Sequence, residues 1–371
     1  MTTQVKYGLF CYDTQNIGDE IQSLAAKRFL PRVDYYINRD NIDDTVPPTK
    51  QKIKIIMNGW YLDPSIKDGK SYWPPFSPSL QPLLISIHIN SRNGSTKLFS
   101  SQESVDFLKK FTPVGARDLS TYEYLQSLGI PSYFSGCLTL TLLPDKNVKK
   151  SNFILAAGIS DELYQEIKSR TKRPIIRLDT LHSGSPSNEV RFKLAQYWLT
   201  LYQSAHCIIT TKLHVILPGL ALGTPVIAIS GKEPARYAGL IDLANHYTEE
   251  SFIKDKTISL DRPLKNPTTF TKLRDELVKT CSAYTGYDSQ KSYLDNTTLD
   301  KLRNDLSLIE FLTNSVSDAY HEHHAVEYLK NELIKLEKIA AESEENKNPG
   351  VKRATKLLVH SVKRYLGKKI K

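Results

Sequence analysis

Along the first 145 residues, short apolar runs alternate with stretches in which apolar residues recur every three or four positions. Residues 5–12, 33–37, 53–57 and 83–89 are continuous β-rich runs, the pattern of strands buried in a sheet. Residues 18–30 and 119–128 carry helical spacing; the first opens with acids that suit a helix dipole, and the second stops at Gly129. Residues 101–111 form a further helix, opened by a capping box of Ser101 or Ser100 with Glu103. Residues 133–142 read as the last strand of this half. A polar stretch follows at 144–152, PDKNVKKSN, and the alternation then resumes. Strands are predicted at 153–159, 174–178, 207–210 and 225–230, with helices at 161–170, 188–203 and 212–222. From about Thr268 the pattern is helical throughout. These elements predict an α/β fold of two Rossmann-like domains, residues 1–147 and 148–267, followed by an all-helical extension. The extension divides into a helical region, 268–345, and a tail, 346–371.

Composition changes the picture mainly through charge. The 371 residues carry 50 Lys+Arg against 40 Asp+Glu, a formal charge of +10. Such an excess would ordinarily point to nucleic acid or an anionic surface. Nine of the basic residues, and no acid, fall between Asn346 and Lys371, which leaves 41 basic and 40 acidic residues in the rest. A nearly neutral body argues against nucleic-acid binding. Aromatic and branched residues spread along the chain exclude a disordered protein. Cys11, Cys137, Cys207 and Cys281 form no CxxC pair and read as reduced core thiols of a cytoplasmic protein. The N-terminus shows neither an apolar h-region nor a small-residue cleavage site. The longest weakly polar run, 214–229, is broken by Pro218, Gly219, Gly223 and Pro225, and reads as helix then strand.

Three segments place chemistry-bearing residues at expected strand ends, where ligands collect in open α/β sheets. The first is Asn16-Ile17-Gly18-Asp19-Glu20, which opens a helix; helix capping is the plainer use of such residues. The second is Val114-Gly115-Ala116-Arg117-Asp118, where Arg117 can grip a carboxylate or phosphate, or simply pair with Asp118. The third is Thr210-Thr211-Lys212-Leu213-His214, in which a cation, an imidazole and a helix N-terminus make an anion site with a proton donor. Lys232, Arg236 and His182 are expected along the same sheet edges. No phosphate-binding GxGxxG or GxxxxGK[ST], no HExxH and no GxSxG occurs. His321-Glu322-His323-His324 reads as solvated helix surface rather than a metal cluster.

Taken in order, these segments resemble the polysaccharide pyruvyltransferase family over roughly residues 5–240. The resemblance rests on N-x-G-D (Asn16, Gly18, Asp19), on an A-R-D corner leading to L-G-I (Ala116 to Ile130), and on a basic-x-His helix start (Lys212, His214). A G-x-P-V-I strand at 223–227 completes it. It implies a GT-B-like pair of Rossmann-like domains. It also implies transfer of the pyruvyl group of phosphoenolpyruvate to a sugar of a cell-surface polysaccharide or its lipid-linked precursor, as a ketal. Phosphoenolpyruvate is then the donor substrate, with no other cofactor. The expected anion grip is Arg117 and Lys212, with Asn16, Gly18, His182, Lys232 and Arg236 also in the site. His214 is the expected general acid, and Asp19 or Glu20, on the acceptor side, would orient or deprotonate the sugar hydroxyl. The family's usual Arg before the His is Lys212 here, a point charge in place of a bidentate fork. Two alternatives remain: a GT-B-like glycosyltransferase that uses a nucleotide sugar, and a non-catalytic scaffold.

The C-terminal region carries its own pattern. Val326, Leu329, Leu333, Leu336 and Ala340 form a short a/d seam, for packing on the body or for homo-oligomerisation. In the tail, Ala354, Leu357, Leu358, Val362, Tyr365 and Leu366 share one helical face opposite Lys356, Lys363 and Arg364. Such a helix suits the anionic inner face of a membrane, or docking on the body.

Overall fold

The computed structural model describes residues 5–48, 51–61, 74–90, 96, 99–178, 187–230 and 234–294. The seam, the tail, His182, Lys232 and the 321–324 cluster lie outside the described residues. The chain divides into two compact units, Met1–Thr180 with Arg191–Asn296, and Leu181–Val190 with Thr297–Lys371. Everything below concerns the first.

That unit holds two all-parallel sheets. The first contains β1 (Lys6–Cys11), β2 (Tyr35–Asn38), β3 (Ile53–Tyr61), β4 (Leu80–Ile89), β5 (Val114–Ala116) and β6 (Ser132–Phe134), in the order β2-β1-β3-β4-β5-β6. The second contains β7 (Ile154–Ala157), β8 (Ile175–Leu178), β9 (Cys207–Thr210), β10 (Val226–Ile229) and β11 (Asn245–Tyr247), in the order β11-β10-β9-β7-β8. Each sheet therefore winds outward from its first strand in both directions. The order reverses beside β1 in one sheet and beside β7 in the other, and at such a reversal neighbouring loops diverge and leave a crevice.

The strands are continuous apolar runs because both faces are covered. Phe10, Ile37, Ile55, Met57, Leu84, Ile87 and Val114 form one core, and Ile154, Ala156, Ile209, Ile227, Ile229 and Phe252 the other. The helices are α1 (Gly18–Lys27), α2 (Ile42–Thr45), α3 (Gln102–Lys109), α4 (Leu119–Ser127), α5 (Asp161–Arg170), α6 (Asn188–Ser204), α7 (Leu213–Ala221), α8 (Pro234–Tyr237), α9 (Glu249–Lys254) and α10 (Phe270–Thr285). Ser101 caps α3, accepting from Ser104 N at 3.2 Å, so the capping residue is Ser101 rather than Ser100. All four cysteines are buried and free. Among the described residues, no helix is long and apolar enough to cross a membrane.

One expectation changes. The strand expected at 133–142 stops at Phe134. Gly136 takes φ +70°, and Leu138–Thr141 then winds into a buried 3-10 helix that packs on α1 and α7. Leu138, Leu140 and Leu142 alternate as in a strand, but Thr139 and Thr141 are buried too, so the alternation does not mark a two-sided strand. Helix α10, the first of the predicted helical region, packs on the first sheet. Lys54 Nζ donates to Tyr284 O at 2.7 Å, and Ile55 N donates to Tyr284 Oη at 3.2 Å. Gly286, at φ +74°, ends the helix, and Asp288 just beyond it binds Arg28 Nε at 2.7 Å.

Candidate active site

The loops that leave β1 and β9 meet. After β1 the chain turns through Asn16, whose Oδ1 accepts from Gly18 N at 3.0 Å and so shapes the entry into α1. After β9, Thr210 Oγ1 accepts from Lys212 N at 2.9 Å and starts α7, with His214 in its first turn. His214 lies directly on Gly18. A Cβ at Gly18 would stand 2.6 Å from His214 Nδ1 and 2.9 Å from His214 Cβ. Only a residue without a side chain permits this approach.

Three guanidiniums, each from a different strand end, act on that imidazole through their charge. Arg117 follows β5, Arg39 follows β2 and Arg236 lies in α8 beyond β10. Burial, with the charges of Arg117, Arg236 and Arg39 adding, holds His214 well below its ordinary pKa. The ring is therefore neutral at pH 7, and its buried Nε2 makes no hydrogen bond among the described residues.

Arg117 is fully buried, at 0% exposure. None of its three guanidinium nitrogens makes a hydrogen bond among the described residues, and the carboxylate of Asp118 stands 3.5 Å from Nε. Burial pushes Arg117 below its ordinary value against the pull of Asp118. Arg39 is better held. Its Nε and Nη2 donate to Asp40 Oδ1 at 3.1 and 2.8 Å, and its Nη1 lies 3.5 Å from Asp19 Oδ1. Burial would lower Arg39, but Asp40 and Asp19 outweigh it and keep the guanidinium charged. Arg236 stacks 4.5 Å over the ring of Trp60, at the end of β3.

His88 lies opposite Trp60 in the β3–β4 pairing. Its Nδ1 is 2.6 Å from Asp118 Oδ2, and its buried Nε2 has no hydrogen bond among the described residues. Asp118 also caps α4, where its Oδ1 accepts from Thr121 N, Thr121 Oγ1 and Ser120 Oγ at 3.0, 2.9 and 2.8 Å. Burial would raise this carboxyl, yet His88, Arg117 and Ser120 bring it down to about 2. Burial and Arg117 lower His88 to about 4.

The remaining expected residues have other engagements. Asp19 accepts from Thr14 Oγ1 at 2.7 Å and Gln22 Nε2 at 3.0 Å, besides facing Arg39. Glu20 accepts from Arg191 Nε of α6 at 2.5 Å; burial raises its carboxyl against that pairing. The stem of Lys212 lies against Gly158, which ends β7 at φ +63° and has no Cβ to obstruct it. Among the described residues, no three His, Cys, Asp or Glu side chains converge as metal ligands. A cavity of about 820 Å³ opens elsewhere, at the starts of β3 and β4 beside Lys52, Phe76 and Phe111. It is mostly apolar and holds none of Arg39, Arg117 and Arg236.

Buried guanidiniums with unfilled donors, whose charge reaches a neutral imidazole, make a receptor for a small polyanion beside a proton-transfer group. A family model described as polysaccharide pyruvyl transferase matches residues 16–233, more than half of the chain. The chain belongs to the polysaccharide pyruvyl transferase family. It is accordingly an enzyme of the transferase class, and the match takes in Asn16, Gly18, Arg39, His88, Arg117 and His214. No curated protein matches it. Among solved structures, it is similar to a functionally uncharacterized protein of Klebsiella pneumoniae subsp. pneumoniae, at 15% identity and TM-score 0.37, over 62% of this chain and 87% of that one. It is also similar to the UDP-GlcNAc 2-epimerase of Methanocaldococcus jannaschii, in complex with UDP-GlcNAc and UDP. That likeness has 12% identity and TM-score 0.38, over 75% of this chain and 99% of that one. Of the residues expected in the site, Gly18 and His214 lie in contact, and Arg117 and Arg236 act on His214 through their charge. Arg39 and His88 join them without having been singled out. Arg39-Asp40 was visible as a second Arg-Asp pair at a strand's end, like Arg117-Asp118.

Proposed function

We propose that this transferase moves the pyruvyl group of phosphoenolpyruvate onto two hydroxyls of a sugar in a surface polysaccharide or its lipid-linked precursor. One observation carries the reading: Arg117 is fully buried with three unfilled guanidinium nitrogens, and its charge, with those of Arg236 and Arg39, reaches a buried, neutral His214. A donor with a carboxylate and a phosphate brings two anionic groups to be gripped at once. Burial is the main cause that holds His214 down; the donor's negative charge would offset the added effect of the guanidiniums and raise the imidazole. His214 then delivers a proton to the methylene carbon, C3, while a sugar oxygen attacks C2. Asp19 in this scheme orients Arg39, and Glu20 ties α1 to α6 through Arg191. Sequence alone supports a further role for residues 346–371 in holding the enzyme to an anionic membrane, where each cation contributes about 1 kcal/mol.

The test is melting temperature and phosphate release in phosphate-free buffer. Phosphoenolpyruvate should stabilise the protein, by about 2.7 kcal/mol at a hundredfold excess over Kd, and should release inorganic phosphate when a sugar acceptor is added. Stabilisation by a nucleotide sugar and none by phosphoenolpyruvate would overturn this donor and favour glycosyl transfer.

A further inference from the structure

Ketal formation moves two protons, and His214 alone cannot move both at once. Two C–O bonds form at C2 of the donor and the C2–O bond to phosphate breaks. Both acceptor hydroxyls lose their hydrogens. In the balance, one reaches C3, which becomes a methyl group, and one leaves on the phosphate.

A second imidazole stands in the same site. His88 and His214 both feel the charges of Arg117 and Arg236, and His214 also feels His88. The carboxylate of Asp118 is ionised and can only accept, so His88 must donate to it through Nδ1–H at 2.6 Å. That fixes the tautomer and leaves a lone pair on Nε2. This nitrogen is buried, and no group among the described residues donates to it. Leaving such a buried acceptor unmet is unfavourable. A carboxylate–imidazole pair whose outer nitrogen is unfilled is the arrangement by which a base takes a hydroxyl proton. A pair present only for packing has no reason to leave that nitrogen unmet within the field of Arg117 and Arg236.

Resting on the donor reading above, we propose that His88, oriented by Asp118, is a second catalytic residue whose Nε2 takes the proton of the attacking sugar hydroxyl. The cycle then closes. Protonated His214 gives its proton to C3 as His88 takes the first hydroxyl proton and that oxygen bonds to C2. Protonated His88 gives its proton to the departing phosphate. The second hydroxyl oxygen bonds to C2 and its proton returns to His214. Both imidazoles regain their starting states, and no oxidant or reductant is needed.

The test uses His88→Gln and Asp118→Asn in the full chain, with phosphoenolpyruvate and p-nitrophenyl hexosides bearing a free 4,6-diol. Three readouts are taken: the melting shift given by phosphoenolpyruvate, kcat and KM for phosphate release. His88→Gln should keep the melting shift and the KM for phosphoenolpyruvate, while kcat falls about 100-fold or more. Asp118→Asn should lower kcat as well, because its amide can donate to Nδ1 and move the proton to Nε2. A kcat for His88→Gln within fivefold of native overturns the assignment. Loss of the phosphoenolpyruvate shift together with kcat, or failure of both variants to fold, would make the pair a donor-binding or structural one and also overturn it. A native enzyme that gives neither a melting shift nor phosphate from phosphoenolpyruvate refutes the donor reading itself, and the His88 assignment falls with it.

Discussion

Arg117→Met separates a residue kept for a ligand from one kept for the fold. The native guanidinium is fully buried, its three nitrogens make no hydrogen bond among the described residues, and the Asp118 carboxylate lies 3.5 Å from Nε. Replacing a whole buried ion pair by apolar side chains is neutral or gains about 1–4 kcal/mol, whereas removing one partner costs about 3–5 kcal/mol when the other charge is left uncompensated. The contact given up here is one long one to Asp118. Asp118 keeps His88 at 2.6 Å and three donors between 2.8 and 3.0 Å, so it is not left uncompensated. A net gain of about 1–3 kcal/mol should raise the melting temperature of the empty protein by several degrees, at about 2–4 °C per kcal/mol. The variant should not respond to phosphoenolpyruvate, whereas the native protein should gain about 2.7 kcal/mol at a hundredfold excess over Kd. The two melting temperatures should therefore change places when the donor is added. Scanning calorimetry in phosphate-free buffer, with and without phosphoenolpyruvate, reads both effects. An empty variant that melts several degrees below native would refute the reasoning, and Arg117 would then be a structural tie to Asp118.

Other outcomes follow from the same geometry. Gly18→Ala puts a methyl 2.6 Å from His214 Nδ1 and 2.9 Å from its rigid Cβ. Overpacking of that kind costs about 1–3 kcal/mol, and displacement of the imidazole should lower kcat about 100-fold, as read by melting and phosphate release. His214→Ala should abolish turnover while circular dichroism shows a retained fold; near-normal activity would remove His214 from the mechanism. His88 titrates near 4 when folded and about 6.5 when unfolded, so the unfolded chain binds more protons between these values. Its contribution is whole above about pH 6.5 and is lost as pH falls toward 4. His88→Gln should therefore flatten the native protein's loss of denaturant stability across that window, and an unchanged slope would mean His88 is not held neutral. Truncation after Gly350 should release the protein from anionic liposomes in a flotation assay, and unchanged binding would reject the tail as the anchor.

The strand ends were readable because a parallel sheet buried on both faces writes its strands as apolar runs and places its polar residues just beyond them. Gly18, Arg117, His214 and Arg236 follow from that rule. His88 does not, because it lies inside the apolar run 83–89, where an imidazole looks like filler until its carboxylate partner is known. Asp118 is thirty residues away, and only the pairing of β4 with β5 brings it near. Asp19 and Glu20 sit in the first helical turn as expected, yet no local pattern reveals that Arg39 and Arg191 face them. The 3-10 helix at Leu138–Thr141 was hidden for a similar reason: alternation identifies a strand only when one of its faces meets water.

The contact between Gly18 and His214 joins two sheets whose defining motifs lie almost two hundred residues apart. It has a consequence for anyone who recombines related enzymes. A chimera cut in the polar stretch at 144–152 looks safe, since each sheet keeps its own strands. Such a cut would nevertheless seat one parent's imidazole on another parent's turn, with no side chain on the glycine to absorb a mismatch. Segments 16–19 and 212–214 are therefore best exchanged together, as a single lock divided between two distant stretches of chain.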